Sequence, residues 1–352
     1  VDDADFTRPR VLAYEPRSQQ PPAADPLEVA VVEKQRRRLV NSSILYVVLA
    51  AAAGLLVPEA FTLTLAGVLG AVVVPQMYLL FFRVLPCRKL LAHPTALVAP
   101  GPGELLVAGS RVSVALPGAE PRWLVVRLPE SRRLLLAGDR RVFLVGPDPR
   151  GRVLVGLPGA IIGRFGRFGR IRPEPAPGAV EPAAPSRDLV EARHDPVVTA
   201  FLRELWRRSW GIAVSFVLLA AVIWTTGAAV VELSAASAVT TVLAVLYAVL
   251  GLLALVRMAG LSAAVQRGPW QELYGTLDTD IQLGASGGLG KAEGRVLLAD
   301  GEAPVRFQRV PLDLLVNVRD TGRLWVLGAP RQGKKVVAGL PGHPVLGLVN
   351  LR

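Results

Sequence analysis

The sequence predicts a membrane α + β protein: four transmembrane helices in two parallel-repeated hairpins, each followed by a small cytoplasmic all-β domain of SH3- or OB-like barrel type. Three observations predict it. Four apolar blocks have the length of a membrane span, basic residues flank every block on one side, and a set of short motifs recurs in the same order in both halves of the chain.

Composition sets the frame. The chain has 352 residues, 51% of them hydrophobic, and a mean hydropathy of +0.42. Such a bias is high for a globular protein and is concentrated here in the four blocks. They run over 39–57, 61–82, 210–231 and 233–256. Each is close to the roughly 20 residues that cross a bilayer core. The connections, Pro58-Glu59-Ala60 and the turn at Glu232 and Ser234, are short enough to force antiparallel hairpins. Lys34 and Arg36 to Arg38 precede the first block, and Arg83, Arg88 and Lys89 follow the second. Arg203, Arg207 and Arg208 precede the third, and Arg257 and Arg267 follow the fourth. By the positive-inside rule all these flanks are cytoplasmic. The expected location is therefore the bacterial cytoplasmic membrane, multi-pass, with both termini in the cytoplasm.

The boundaries follow. Residues 1–30 read as a polar, disordered tail and 31–87 as the first hairpin. Residues 88–160 form a basic β-domain, and 161–196 a Gly/Arg/Phe segment with a Pro/Ala linker. Residues 197–260 hold an amphipathic lead-in helix and the second hairpin, and 261–352 a second β-domain. Strands are expected at 105–108, 111–116, 122–127, 132–136, 141–145 and 152–156, where Val- and Leu-rich runs are punctuated by Gly, Pro and Asp.

The repeat is read from matched motifs. Asp25-Pro26 and Asp195-Pro196 open the two units. Arg127-Leu128-Pro129 matches Arg309-Val310-Pro311, and the run from Arg141 to Gly146 matches that from Arg323 to Gly328. Gly156-Leu157-Pro158-Gly159 matches Gly339-Leu340-Pro341-Gly342. Retention of order over this many motifs marks an internal duplication. A hairpin followed by a β-domain, used twice, resembles bacterial membrane proteins with paired PH-like domains. That fold ends in a long helix, for which the second copy leaves no room after Gly342, so a small barrel is the expectation.

Function is less legible. From Arg88 to Arg172 there are 15 basic and 5 acidic residues, a balance of +10. From Gln271 to Arg352 there are 10 and 8, a balance of +2. Such divergence points to a division of labour, with the first copy suited to an anionic lipid surface. Arg164, Phe165, Arg167, Phe168, Arg170 and Arg172 form the densest basic and aromatic stretch, read as a lipid-surface or partner contact. Lipid is favoured over nucleic acid as the phosphate source because apolar blocks lie close by. Pro75 and Gln76 are read as a polar kink within the second span. The three histidines have no metal-ligand spacing, and no catalytic motif or cofactor motif is found. The sequence therefore points to a non-enzymatic scaffold or regulatory subunit whose expected partners are an anionic lipid surface, an unidentified membrane or cytoplasmic protein, and a second copy of the chain in a homo-oligomer. A small transporter or channel component and a lipid-modifying enzyme are the alternatives.

Overall fold

The computed structural model describes residues 11–56, 70, 73–117, 122–161, 163–168, 178–184, 191–230, 234–266, 268–284 and 287–352. In chain order the first elements are α1 (Pro26–Leu56), α2 (Leu85–Leu90), β1 (Thr95–Val98), β2 (Leu105–Ala108), β3 (Arg111–Leu116) and β4 (Arg122–Arg127). Then come α3 (Glu130–Asp139), β5 (Val142–Val145), β6 (Arg152–Gly156), β7 (Arg164–Phe168), α4 (Pro196–Val230) and α5 (Ser234–Val265). The last part holds β8 (Trp270–Leu277), β9 (Gln282–Leu283), β10 (Leu289–Leu298), β11 (Gly301–Pro311), α6 (Leu312–Thr321), β12 (Arg323–Leu327), β13 (Lys335–Gly339) and β14 (Leu346–Leu351).

The chain divides into two compact units. One comprises 1–31, 89–201 and 264–352 and holds both β-domains; the other comprises 32–88 and 202–263 and is helical.

The two sheets share one topology. The first has the order β1-β5-β6-β7-β4-β3-β2, the second β11-β14-β13-β12-β8-β10-β9. Position for position, β1 corresponds to β8, β3 to β10, β4 to β11, and β5 to β7 to β12 to β14. In the second sheet β8 also pairs with β10, closing six strands into a barrel. In the first sheet the equivalent pairing of β1 with β3 is absent among the described residues, leaving a half-barrel. Each domain has its own buried core, built on Leu124, Val126 and Val153 in the first and on Val305, Phe307 and Leu324 in the second.

Neither domain is all-β. The segment 132–136, expected as a strand, lies in α3. Pro129, extended at φ −64° and ψ 161°, turns the chain out of β4, and Glu130 occupies the first helical turn. The run Leu134-Leu135-Leu136-Ala137 has no strand alternation, and an unbroken apolar run fits a buried helix as well as a strand. Pro311 makes the same turn into α6, so the Arg-x-Pro repeat is a strand-to-helix hinge.

The Asp-Pro repeat is also structural. Asp25 accepts the Leu27 N–H at 2.8 Å, and Asp195 accepts Val197 N–H at 2.8 Å, so each caps a helix that begins with proline. An aspartate N-cap followed by proline at the first position suits the orphan donors of a helix start.

The helical unit corrects the expected fold class. Among the described residues one stretch, Ala248–Val265, is a helix long and apolar enough to cross a membrane. Helix α1 takes in Glu28, Glu33, Lys34 and Arg36 to Arg38, and Asn41, Ser42 and Ser43 break into its apolar part. The start of α4 likewise carries Arg203, Glu204, Arg207 and Arg208. The connection at Pro58 to Ala60, half of the second block and Glu232 lie outside the described residues. Four transmembrane helices in two hairpins are thus not what the structure supports. The multi-pass description and the placement in the bacterial cytoplasmic membrane fall with them.

Within this unit small residues set the packing. A Cβ on Gly251 of α5 would lie 3.3 Å from Ala213 Cα of α4, so those helices approach closely there. Trp206 donates to Ser262 Oγ at 2.7 Å across the same pair. A π-helical turn over Leu80–Val84, closed by Leu85 N–H to Leu80 O, precedes Pro86. Proline there has no N–H for an α-helical bond and crowds the carbonyl four residues back, which the wider turn relieves.

Candidate functional site at the open seam of the first sheet

The seam is open because both of its sides are built against closure. Pairing fixes the equivalence: Thr95 faces Val145 in β5, as Trp270 faces Leu327 in β12. Counting on, Pro100, Gly101 and Pro102 fall where β8 has Gly275, Thr276 and Leu277, the residues that pair with β10. Proline fixes φ and restricts the residue before it, so the chain leaves the sheet here. On the other side Gly294 of β10, the partner of Val305, corresponds to Val114 of β3, the partner of Leu124. A Cβ on Gly294 would lie 2.1 Å from Thr276 O. A valine at that point forbids the approach on which closure depends.

The groups left open are taken up by side chains. Arg140 occupies the left-handed C-cap of α3 at φ 50°, where α6 has Gly322 at φ 67°. Its guanidinium donates to Pro100 O at 3.2 Å, to Gly101 O at 2.7 Å and to Glu181 Oε1 at 2.6 Å. Gly101 N–H goes to Glu104 at 2.6 Å, and Gly103 N–H to Glu181 Oε2 at 3.0 Å. The Arg140 guanidinium and the Gly103 N–H hold the Glu181 carboxyl below its ordinary range. Beside it Val180 pairs antiparallel with Val107, N–H to O at 2.9 Å and 3.1 Å, along the outer edge of β2. Arg133 reaches the Gly109 carbonyl at the other end of that edge.

Two further polar features lie in the same unit. Asn317, 1% exposed, joins the domains: its Oδ1 accepts Tyr14 N–H at 2.6 Å, and its Nδ2 donates to Gly159 O at 3.1 Å and Asp313 O at 2.5 Å. Asp313 accepts Ile161 N–H at 3.0 Å, and burial raises its pKa. Asp195, fully buried, grips Gly342 N–H at 2.6 Å. The Gly-Leu-Pro-Gly repeats are therefore junction loops.

Next to the junction lies a cleft of about 410 Å³ whose lining includes Tyr14, Arg17, Asp25, Glu28, Arg319 and Asp320. Tyr14 Oη donates to Glu28 Oε1 at 2.8 Å. Burial, aided by Asp25, pushes Glu28 up to about 7 against the opposing pull of the Tyr14 bond and Arg319. Residues 11–25, expected as part of a disordered tail, thus line a cleft and supply Tyr14 to the second core.

The predicted contact residues are dispersed. Arg164, Phe165, Arg167 and Phe168 form β7, between β6 and β4, so the Gly/Arg/Phe segment is in part a sheet strand. Its glycine is a packing requirement: a Cβ on Gly166 would lie 2.8 Å from Leu124 Cδ1 and 3.1 Å from Val155 Cγ2. Arg167 is exposed. Arg170 and Arg172 lie outside the described residues. In the helical unit, Pro75 and Gln76 fall in a helical stretch, where Gln76 Oε1 accepts Ser42 Oγ at 2.9 Å and Ser43 Oγ at 3.1 Å. Gln76 thus ties that stretch to α1.

Sequence reasoning missed Arg140, Glu181, Asn317 and the Tyr14–Glu28 pair. The one available signal was the substitution of Arg140 for Gly322 in otherwise matching repeats. Among the described residues no group of three metal-ligating side chains occurs. Comparisons with family models, with curated proteins and with solved structures returned no match.

Proposed function

We propose that this chain is a non-enzymatic scaffold or regulatory protein in which the closed second barrel is the structural copy and the half-open first domain is the binding copy. The observation that carries the reading is an arginine strip on the first sheet. Arg111 and Arg127 are exposed and stand directly opposite each other on β3 and β4, while Arg167 faces Val125 one strand further on. None of the three is paired with a carboxylate among the described residues. Like charges directly opposed across a sheet disfavour folding by up to about 1 kcal/mol, a cost that an anionic surface removes. An anionic lipid headgroup layer is the partner this strip suits, alongside a protein partner.

The test is co-sedimentation of the full chain with neutral phosphatidylcholine vesicles and with vesicles that also contain phosphatidylglycerol. The excess bound to anionic vesicles at low salt should fall as salt is raised. It should also vanish in a variant carrying Arg111→Gln, Arg127→Gln and Arg167→Gln. Equal binding of the unaltered protein to both vesicle types would overturn the reading.

A further inference from the structure

We infer that the outer edge of β2 is a docking site for an extended acidic peptide, and that residues 178–184 of the chain's own linker occupy it as a displaceable placeholder strand. The inference deepens the scaffold reading by naming the chemistry of the protein partner. An exposed strand edge is a template for strand addition, in which backbone bonds give affinity and side chains give selectivity. Here the template is in use, so the occupant shows what fits.

The occupant is held by little. Val180 is 66% exposed, so most of its surface stays in solvent and its burial adds little to the grip. The grip consists of the Val107–Val180 backbone pair and the Glu181 carboxylate, bound by Arg140 and Gly103 N–H. In the same register Pro182 falls opposite Leu105 and brings no N–H, which ends the ladder. The outward side of Leu105 is thus left for a strand with a donor at that position. Arginines stand at both ends of the edge, Arg140 by Gly101 and Arg133 by Gly109. That arrangement selects an acidic strand, and a tethered occupant at millimolar effective concentration keeps the edge covered until one arrives.

The experiment measures fluorescence anisotropy of a labelled peptide with the sequence Pro177 to Ala184, and of a second in which the proline matching Pro182 is replaced by valine. Each is titrated against the full chain. The unaltered protein should bind the first peptide weakly and the valine peptide at least tenfold more tightly. A variant with Val180→Pro and Glu181→Gln, whose own strand no longer fits, should bind both peptides at least tenfold better than the unaltered protein does. Adding Arg140→Glu should abolish this gain, and a peptide with lysine in place of its glutamate should restore it. That charge-swap rescue separates recognition from misfolding. If the strand-broken variant binds no better than the unaltered protein, or binds lysine and glutamate peptides equally, the inference fails. The vesicle preference above does not depend on this edge, so the two readings fail separately.

Discussion

Arg140 and Gly322 occupy the same place in the two copies, the left-handed residue that ends the helix after the hinge proline, at φ 50° and φ 67°. Glycine is at ease there, whereas a residue with a Cβ is disfavoured by roughly 1 kcal/mol or more. Arginine in that position is what places a guanidinium over the seam. The exchange of one residue thus ties a local backbone cost to the feature in which the copies differ most.

The substitution Arg140→Gly should therefore leave global stability within about 1 kcal/mol, because the relief of the left-handed cost offsets a half-exposed ion pair worth little. Arg140→Ala keeps the backbone cost and loses the bonds, so it should be the less stable of the two by about 1 kcal/mol. Urea denaturation of both variants checks the order. Limited proteolysis should show faster cleavage near residues 178–184 in both.

The domain junction is asymmetric. At the positions equivalent to Ser131 and Leu135 of α3, helix α6 carries Asp313 and Asn317, and Asn317 satisfies Tyr14 N–H and Gly159 O at once. Asn317→Leu restores the residue of the first copy but strands those two backbone groups. A buried orphan group costs about 1–3 kcal/mol, so the variant, with two of them, should lose about 2–6 kcal/mol in all. Denaturant unfolding followed with a probe in each domain should also show the transitions separating where they coincide in the unaltered protein.

Glu28 makes stability depend on pH. Its carboxyl titrates near 7 in the folded protein against 4.5 in a free chain, chiefly because burial penalises the charged form. Between those values the folded state holds more protons than the unfolded one, so stability falls as pH rises through the window and levels off above it. The full effect of such a shift is about 3 kcal/mol. Glu28→Gln, which keeps an acceptor for Tyr14 Oη, should flatten the profile and be the more stable protein at pH 8. Asp148 acts elsewhere: burial raises its pKa, but the Arg152 N–H and guanidinium outweigh burial and lower it. Its contribution is present at neutral pH and is lost only as pH falls through the acid range. Melting temperature measured across pH for native and Glu28→Gln protein separates the two groups.

Much of the sheet was legible because it depends on local pattern. The runs at 105–108, 111–116, 122–127 and 152–156 are strands with those bounds, each short, Val- or Leu-rich and bracketed by turn residues. The repeats were legible as motifs but not as roles, since a hinge proline, a capping aspartate and a junction loop look alike until folded. Helix α3 was hidden by its unbroken leucines. The arginine, phenylalanine and glycine of β7 read as an irregular segment because Gly166 is demanded by Leu124 and Val155, residues distant in sequence. Glu28 looks like an ordinary acid in the first turn of a helix, and its burial comes from Tyr14 and the chain around it. The apolar blocks exposed a different weakness. Hydropathy marks where apolar residues cluster, while α1 and α4, which contain the first and third blocks, begin well upstream in charged sequence.

Closure of the second barrel is the sharpest test of how the copies diverged. Gly294 lies where a Cβ would come within 2.1 Å of Thr276 O, and the obstacle is backbone, which cannot swing aside as a side chain can. Ordinary overpacking of a core costs about 1–3 kcal/mol, and Gly294→Val should reach or exceed the upper end of that range. It should act by parting β8 from β10 rather than by loosening the core throughout. Hydrogen exchange can distinguish these outcomes, because Asp278 N–H bonds Glu293 O across that seam at 2.9 Å, while Leu324 and Val326 lie on the far side of β8 in β12. Asp278 should lose protection at once and the β12 amides should keep theirs. The reverse exchange in the first domain needs both sides changed: Pro100→Gly with Pro102→Leu leaves Val114 in the way, and only the addition of Val114→Gly lets β1 extend toward β3. If Gly294→Val left Asp278 protected, the seam would have to be explained by something other than this one missing side chain.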